Sequence, residues 1–294
     1  MPSNVSWDIL IHANLSAPDL AAALALLTVC NAAEGLDLKL ALDNPWPAAE
    51  SAARHFLVHA GADLVGYAGL DGDGPEVELC GMVHPRYRRQ GIGRALLDAA
   101  VAACRARAVR ELLLICEAGS VGGQALAAQA GATYQFGEDR MELTLATAPA
   151  RPSAAPAVLI TPAGAADAPL LAAIEGAVFA DPVARTIERV QENLADPATQ
   201  YYLVWLDGIV VGSGRILHTP ERAYLYAFGV LPAYRGRGVG RAFLHGLFAL
   251  LQTGGYPRLA LEVETENAPA ITLYGSCGFG IITTYGYFAV PLGD

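Results

Sequence analysis

The residues best suited to chemistry lie in two short stretches of the second half of the chain. In Arg235-Gly236-Arg237-Gly238-Val239-Gly240-Arg241, three glycines alternate with three arginines and a valine. Glycines let a backbone approach a ligand closely, and the first turn of a helix presents N–H groups without intrahelical partners. A glycine-bearing turn that opens a helix is therefore an anion site suited to a pyrophosphate. Arg235, Arg237 and Arg241 would add charge. The order is neither the P-loop's G-x-x-x-x-G-K-[ST] nor the G-x-G-x-x-G of a dinucleotide fold. The second stretch runs from Glu262 through Glu264 and Asn267 to Tyr274. Glu262 and Glu264 fall on one strand face. A carboxylate there can take up a proton, and a phenol can give one. Glu264, nearer the strand end, is the preferred proton acceptor of the two.

The glycine turn occurs twice. Arg88-Arg89-Gln90-Gly91-Ile92-Gly93-Arg94 precedes it by 147 residues, half the chain. The same offset places Glu117 on Glu264 and Gly131 on Gly278, whereas Gly66 and Gly212 lie one residue out of step. Features aligned at a nearly constant offset indicate an internal duplication. Residues 146–156 hold three prolines and little apolar periodicity, which predicts an extended linker. The expected division is 1–148, a linker at 149–157, and 158–294.

The surrounding pattern must position these residues. In the second copy, strands are predicted at 158–161, 201–206, 209–217, 223–230, 258–263 and 281–290. Asp207-Gly208 reads as a hairpin turn. Helices are predicted at 183–194, at 269–277, and from Asp167 as cap through Leu170, Leu171, Ile174 and Val178. A long helix follows Gly238, with Phe243, Leu244, Leu247, Phe248 and Leu251 at helical spacing. The first copy repeats this order, with strands at 7–11, 56–60, 64–70, 77–83, 111–116 and 141–145 and a long helix from Gly91 to about Ala108. The fold class is α/β (α+β, with a mixed sheet).

Both glycine turns match [Q/R]-x-x-G-x-[G/A], at Arg88, Gly91 and Gly93 and at Arg235, Gly238 and Gly240. The segment from Asn267 matches N-x-x-A-x-x-L-Y-x-x-x-G-F at Ala270, Leu273, Tyr274, Gly278 and Phe279. On these motifs the chain resembles two tandem acyl-CoA N-acyltransferase domains of the GCN5-related N-acetyltransferase (GNAT) family. The resemblance implies acetyl-CoA as cosubstrate, its pyrophosphate held by the backbone of residues 235–241 and 88–94. It implies that Phe228, Gly229 and Val230, and Met82 and Val83 in the first copy, run beside the pantetheine arm. It also implies that the strand from Arg258 splays away from them, that Asn267 holds the arm, and that Tyr274 protonates the departing thiolate. Direct transfer needs no covalent nucleophile, so Cys277 reads as a packed helix residue.

The copies are unequal. At the 147-residue offset Asn267 meets Ser120, Tyr274 meets Ala127 and Phe279 meets Ala132. The first copy keeps its cradle and lacks the phenol, so it is expected to be degenerate. Glu78 on its central strand keeps an acid available, and Tyr134 is a poor substitute for Tyr274. In the second copy His218, Glu221, Tyr224 and Tyr226 are weaker candidates for lining an acceptor pocket.

Composition bounds the rest. A net charge of -10 argues against a nucleic-acid footprint and suits an amine acceptor, either a small molecule or a peptide. Five cysteines without CxxC spacing predict reduced thiols, and no metal cluster is evident. No signal-peptide pattern is seen, and the apolar run 20–29 is too short to span a bilayer, so a cytoplasmic location is expected. The reading is acetyl transfer to a primary amine. One alternative, similar in its two-domain plan, is a mycothiol-synthase-like acetylation of a cysteinyl amine. Another is a non-catalytic acyl-CoA sensor or scaffold. The sequence leaves monomer or homodimer undetermined.

Overall fold

The computed structural model describes residues 7–40, 42, 52–72, 74–153, 155–180 and 182–292. The first repeat runs β1 (Ile9–His12), α1 (Ala17–Glu34), β2 (His55–Ala60), β3 (Asp63–Asp71), β4 (Glu76–Val83), α2 (Ile92–Ala106), β5 (Glu111–Glu117), α3 (Val121–Gln129) and β6 (Thr133–Thr144). The second runs β7 (Leu159–Ala163), α4 (Ala168–Phe179), α5 (Val183–Ala195), β8 (Thr199–Leu206), β9 (Ile209–His218), β10 (Ala223–Val230), α6 (Val239–Thr253), β11 (Arg258–Glu264), α7 (Ala268–Ser276) and β12 (Gly280–Val290).

The chain folds into two compact units. Unit 1 is Met1–Glu138 with Thr283–Asp294, and unit 2 is Asp139–Ile282. These differ from the linear division near residue 150, because the last strands are exchanged. In unit 1 the strand order is β1-β2-β3-β4-β5-β12; in unit 2 it is β6-β11-β10-β9-β8-β7. Strand β12 pairs antiparallel with β5, from Tyr285↔Glu117 to Val290↔Leu112. A ladder is made by backbone groups that every strand carries, so the closing strand of either repeat can fill that place. In both units the pairing is mixed, since β4/β5 and β10/β11 are parallel while β3/β4 and β9/β10 are antiparallel.

Each unit packs its long helix on one sheet face. In unit 2, Phe243, Leu244, Leu247, Phe248 and Leu251 of α6 are buried against Leu225, Leu259, Leu261 and Val263. In unit 1, Ile92, Leu96, Leu97 and Ala100 of α2 meet Leu79, Leu112 and Leu114. Full burial of each leucine, isoleucine or phenylalanine among them contributes about 1.5–3 kcal/mol. The opposite face of unit 2 is covered by α4 and α5, with Leu171, Ile174 and Val190 against Tyr201 and Leu203.

Three local expectations change. Helix α1 occupies 18 residues, starting from a Ser16 cap, where the sequence suggested only an apolar run at 20–29. By length and composition it could cross a membrane; in unit 1 it buries Ala23, Leu26 and Cys30. Asp167 precedes α4, but its carboxylate accepts from the Gly164 N–H at 2.9 Å and does not cap that helix. Pro149 packs beside Gly278 and Pro156 beside Gly238 of unit 2. Arg151 donates to the Pro156 carbonyl at 2.6 Å, and a Cβ on Gly238 would sit 3.2 Å from Pro156 Cδ.

Candidate acetyl-CoA site

The glycine turn has the same backbone in both units. Gly91 (φ 88°) and Gly238 (φ 77°) are left-handed and serve as N-caps of α2 and α6. Two residues earlier Arg89 (φ 63°) and Gly236 (φ 73°) are left-handed too. An arginine held there costs roughly 1–2 kcal/mol relative to glycine, so the fold imposes this shape even without glycine. The first helical bonds, Ala95 N–H to Gly91 O and Ala242 N–H to Gly238 O, are both 3.0 Å. The N–H groups of Ile92, Gly93 and Arg94, and of Val239, Gly240 and Arg241, therefore stand at helix N-termini. They fit a pyrophosphate.

Arg88, Arg94, Arg235, Arg237 and Arg241 of these turns are engaged with protein partners. Arg235 Nε donates to the Val230 carbonyl at 3.0 Å, and Arg88 Nε to the Val83 carbonyl at 3.0 Å. Arg237 lies over the Tyr234 ring, 5.2 Å from its centroid. Arg241 reaches Ser276 Oγ at 2.9 Å, and Arg94 pairs with Asp98. Gln90 Nε2 donates to the Arg86 carbonyl at 3.2 Å. Gly240 has a packing role as well, since a Cβ there would meet Leu273 Cδ2 at 3.2 Å.

Beside each turn the parallel strand pairing stops short of the strand ends. Parallel pairing of β10 with β11 runs from Ala223↔Leu259 to Leu225↔Leu261 and ends, while the strands continue to Val230 and Glu264. In unit 1 pairing ends at Leu79↔Leu114, while β4 continues to Val83 and β5 to Glu117. Unit 1 has a cavity of about 390 Å³ in this gap, bounded by Met82, Val83, Cys116, Gly91 and Leu126. In unit 2, Phe228 and Tyr274 stand where the repeat places Gly81 and Ala127. Phe228 stacks on Phe243 at 4.9 Å and lies 6.4 Å from Tyr274.

The units also differ in one backbone detail. Strand β4 pairs with β3 in unbroken register from Val83↔Gly66 to Glu78↔Asp71. Strand β10 shifts register against β9 between Tyr226 and Gly229, and Ala227 there has φ 47°. A bulge leaves backbone groups out of the ladder, and its left-handed alanine costs about 1–3 kcal/mol. This bulge accounts for the one-residue slip in the repeat. Leu112 and Leu259 are 147 apart, but their partners Val77 and Ala223 are 146 apart. The slip was visible in the sequence; its location was not.

Tyr274 is 8% exposed, and burial, then Cys277, pushes its phenol up to about 12. It stays protonated through the neutral range. Asn267 caps α7, its Oδ1 accepting from the Ala270 N–H at 3.2 Å. Ser120 caps α3 in the same way, Oγ accepting from the Gly123 N–H at 3.2 Å. The exchange of Asn267 for Ser120 thus preserves a helix cap. Glu264 is exposed at the end of β11, on the face also carrying Glu262. Its counterpart Glu117 is buried, accepting from Thr283 Oγ1 at 2.8 Å and from the Asp37 N–H at 3.2 Å. Cys277 is fully buried, as expected for a packing residue.

On the sheet face away from α6, Tyr224 and Tyr226 stack at 6.0 Å. Arg215 lies over Tyr226 at 4.7 Å and donates to Asn193 Oδ1 at 2.9 Å. Arg189 donates to Glu175 Oε2 at 3.1 Å; burial raises the Glu175 carboxyl above its ordinary range. Of the weaker candidates, Glu221 is a highly exposed partner of Arg222, and His218 sits against Tyr256 at 5.0 Å. Sequence reasoning missed the Glu175–Arg189 pair and the Arg215–Asn193 contact, because three separate elements, α4, α5 and β9, supply them.

The family model for the acetyltransferase (GNAT) family matches the chain twice, at residues 21–132 and 171–279. The chain belongs to this family, and it is an acetyl-CoA-dependent N-acetyltransferase with two tandem domains. A relative from Kineococcus radiotolerans named mycothiol acetyltransferase is 35% identical over 255 residues, covering 81% of each chain. A GCN5-related N-acetyltransferase from Sphaerobacter thermophilus shares the fold over 100% of this chain and 98% of its own, with a TM-score of 0.81 and 19% identity. A tandem GNAT protein from the clavulanic acid biosynthesis pathway does so over 98% and 99%, at a TM-score of 0.72 and 20% identity.

Proposed function

We propose that unit 2 is the catalytic centre and that it acetylates the cysteinyl amine of a thiol sugar, a reading that the relatives named mycothiol acetyltransferase support. One observation carries the reading: the β10 bulge and Tyr274 occur together in unit 2, whereas unit 1 has a flush β4 and Ala127. Acetyl-CoA supplies an activated acyl group on a thiol leaving group. The N–H groups of residues 239–241 hold its pyrophosphate, and Phe228, Gly229 and Val230 line the arm. The freed N–H groups of the bulge polarise the carbonyl. Tyr274 gives its proton toward sulfur as negative charge develops there. Glu264, directly or through water, takes the proton of the attacking ammonium. Arg235 acts by holding the turn to the end of β10. The stacked Tyr224 and Tyr226, with Glu262 and Arg215 on the same face, receive the acceptor.

Unit 1 holds a second acetyl-CoA without transferring it to a free acceptor. Its cavity and cradle at residues 88–94, beside Met82 and Val83, support this. Five free, buried cysteines fit a reducing cytoplasm. The test is release of free thiol from acetyl-CoA in the presence of a cysteinyl glycoside or a panel of other primary amines. The proposal expects the cysteinyl amine to give the highest kcat/KM. Equal turnover of polyamine or amino-acid acceptors would refute the acceptor assignment.

A further inference from the structure

Lys39 is the sole lysine of the 294-residue chain. It lies in unit 1, on the segment that follows α1. Its ammonium donates to Tyr287 Oη at 2.7 Å and is 3.6 Å from a Glu138 carboxylate oxygen. It also stands over two aromatic rings, 5.8 Å from the centroid of Tyr285 and 5.4 Å from that of Tyr287. Aromatic faces and a carboxylate together form a site for an ammonium ion.

This cage adjoins the cavity of unit 1. Leu36 and Leu38, which precede Lys39, line that cavity, and so does Ile115, which packs against Tyr285 and Tyr287. The segment is fastened there. The Asp37 N–H donates to Glu117 at 3.2 Å, Tyr285 Oη donates to the Asp37 carbonyl at 2.7 Å, and the Leu38 N–H donates to Asn31 Oδ1 at 3.1 Å. Glu117, the counterpart of Glu264, is thereby committed to holding the segment. The segment thus borders the cavity through Leu36 and Leu38, and the next residue along it carries an amine.

We infer that Lys39 is the internal acceptor of unit 1 and is acetylated once by acetyl-CoA bound in its cavity. This rests on the reading that unit 1 holds acetyl-CoA. A proton route is present, because Lys39 donates to Tyr287 Oη and Tyr287 Oη donates to Glu138. One Nζ proton passes along it to the carboxylate. The nitrogen lone pair forms the N–C bond, the C–S bond breaks with its electron pair on sulfur, and a second Nζ proton goes to the thiolate. The products are a neutral amide on Lys39 and free CoA thiol. With Ala127 in place of a phenol, and with the acceptor fixed in the chain, the event is slow and does not recycle.

The test incubates the full chain with acetyl-CoA and no other acceptor, and locates acetyl groups by tryptic peptide mass. In parallel, calorimetric titration with CoA counts sites in wild type and in Gly91→Val. Expected results are one acetyl group on Lys39, visible as a blocked cleavage, in wild type and Tyr274→Phe. In Tyr287→Phe and Gly91→Val the rate falls by about tenfold or more. Two CoA sites with Lys39 unmodified would overturn the inference and leave the cavity reading standing. So would Lys39 modified equally fast in Gly91→Val that has lost a site, since that is acetylation from solution. A CoA count unchanged by Gly91→Val would overturn the cavity reading and the inference with it.

Discussion

Arg235 Nε donates to the Val230 carbonyl at 3.0 Å, and 147 residues earlier Arg88 Nε makes the same 3.0 Å bond to Val83. In each unit this bond ties the glycine turn to the end of the strand that borders the gap. The guanidinium acts on the cofactor through the backbone it fixes. Arg235→Met should therefore raise the KM for acetyl-CoA and change kcat little. A charged hydrogen bond of this kind is worth about 1.5–3 kcal/mol, a loss of roughly tenfold to a hundredfold in affinity, measured by titration with CoA. Arg235→Lys, which cannot reproduce the planar Nε contact, should rescue little.

The phenol of Tyr274 is pushed up to about 12. It stays loaded with its proton as pH rises, and that contribution fades only when pH approaches this value. The wild-type kcat should show no alkaline fall from Tyr274 below that range. Tyr274→Phe should lower kcat by about 10²–10⁴ with little change in KM. A pH–rate profile of both proteins checks this.

The β10 bulge is one residue long, and unit 1 shows the same strand without it. Deleting Ala227 should restore a flush register and remove a left-handed alanine, so the fold should persist. The freed N–H groups would return to the ladder, and kcat should fall by about 10²–10³, the loss expected for one oxyanion donor. Circular dichroism and CoA titration separate this from unfolding.

The Glu175 carboxyl is raised by burial, with Arg189 opposing. A folded-state value above the unfolded one means that the folded state gives up the proton less readily. Stability associated with this group is present below the ordinary carboxyl range and is lost as pH rises through the raised value. Glu175→Gln should show a smaller decline in Tm over that interval than wild type, measured by thermal melts at a series of pH values.

How much of this was legible depends on distance along the chain. The two turns, the long helices and the segment from Asn267 to Phe279 are local patterns, and each forms where the sequence placed it. The Asp207-Gly208 hairpin likewise appears, with both residues left-handed. The β12 exchange was illegible, because β12 and β6 are both suited to pairing and sequence does not say with which neighbour. Helix α1 was missed because its apolar residues are nearly continuous and conceal the period. Asn267 drew attention for a ligand, yet its place three residues before Ala270 already described a cap. The slip between Gly66/Gly212 and the later pairs held the bulge in plain view. It needed strand register to become chemistry.

The most direct test of the division of labour compares Gly91→Val with Gly238→Val. Both glycines are left-handed, and valine is strained at either. Turnover of acetyl-CoA with a cysteinyl amine should be nearly abolished in Gly238→Val and largely retained in Gly91→Val, each losing one CoA site by titration. Turnover lost in Gly91→Val and kept in Gly238→Val would contradict the account.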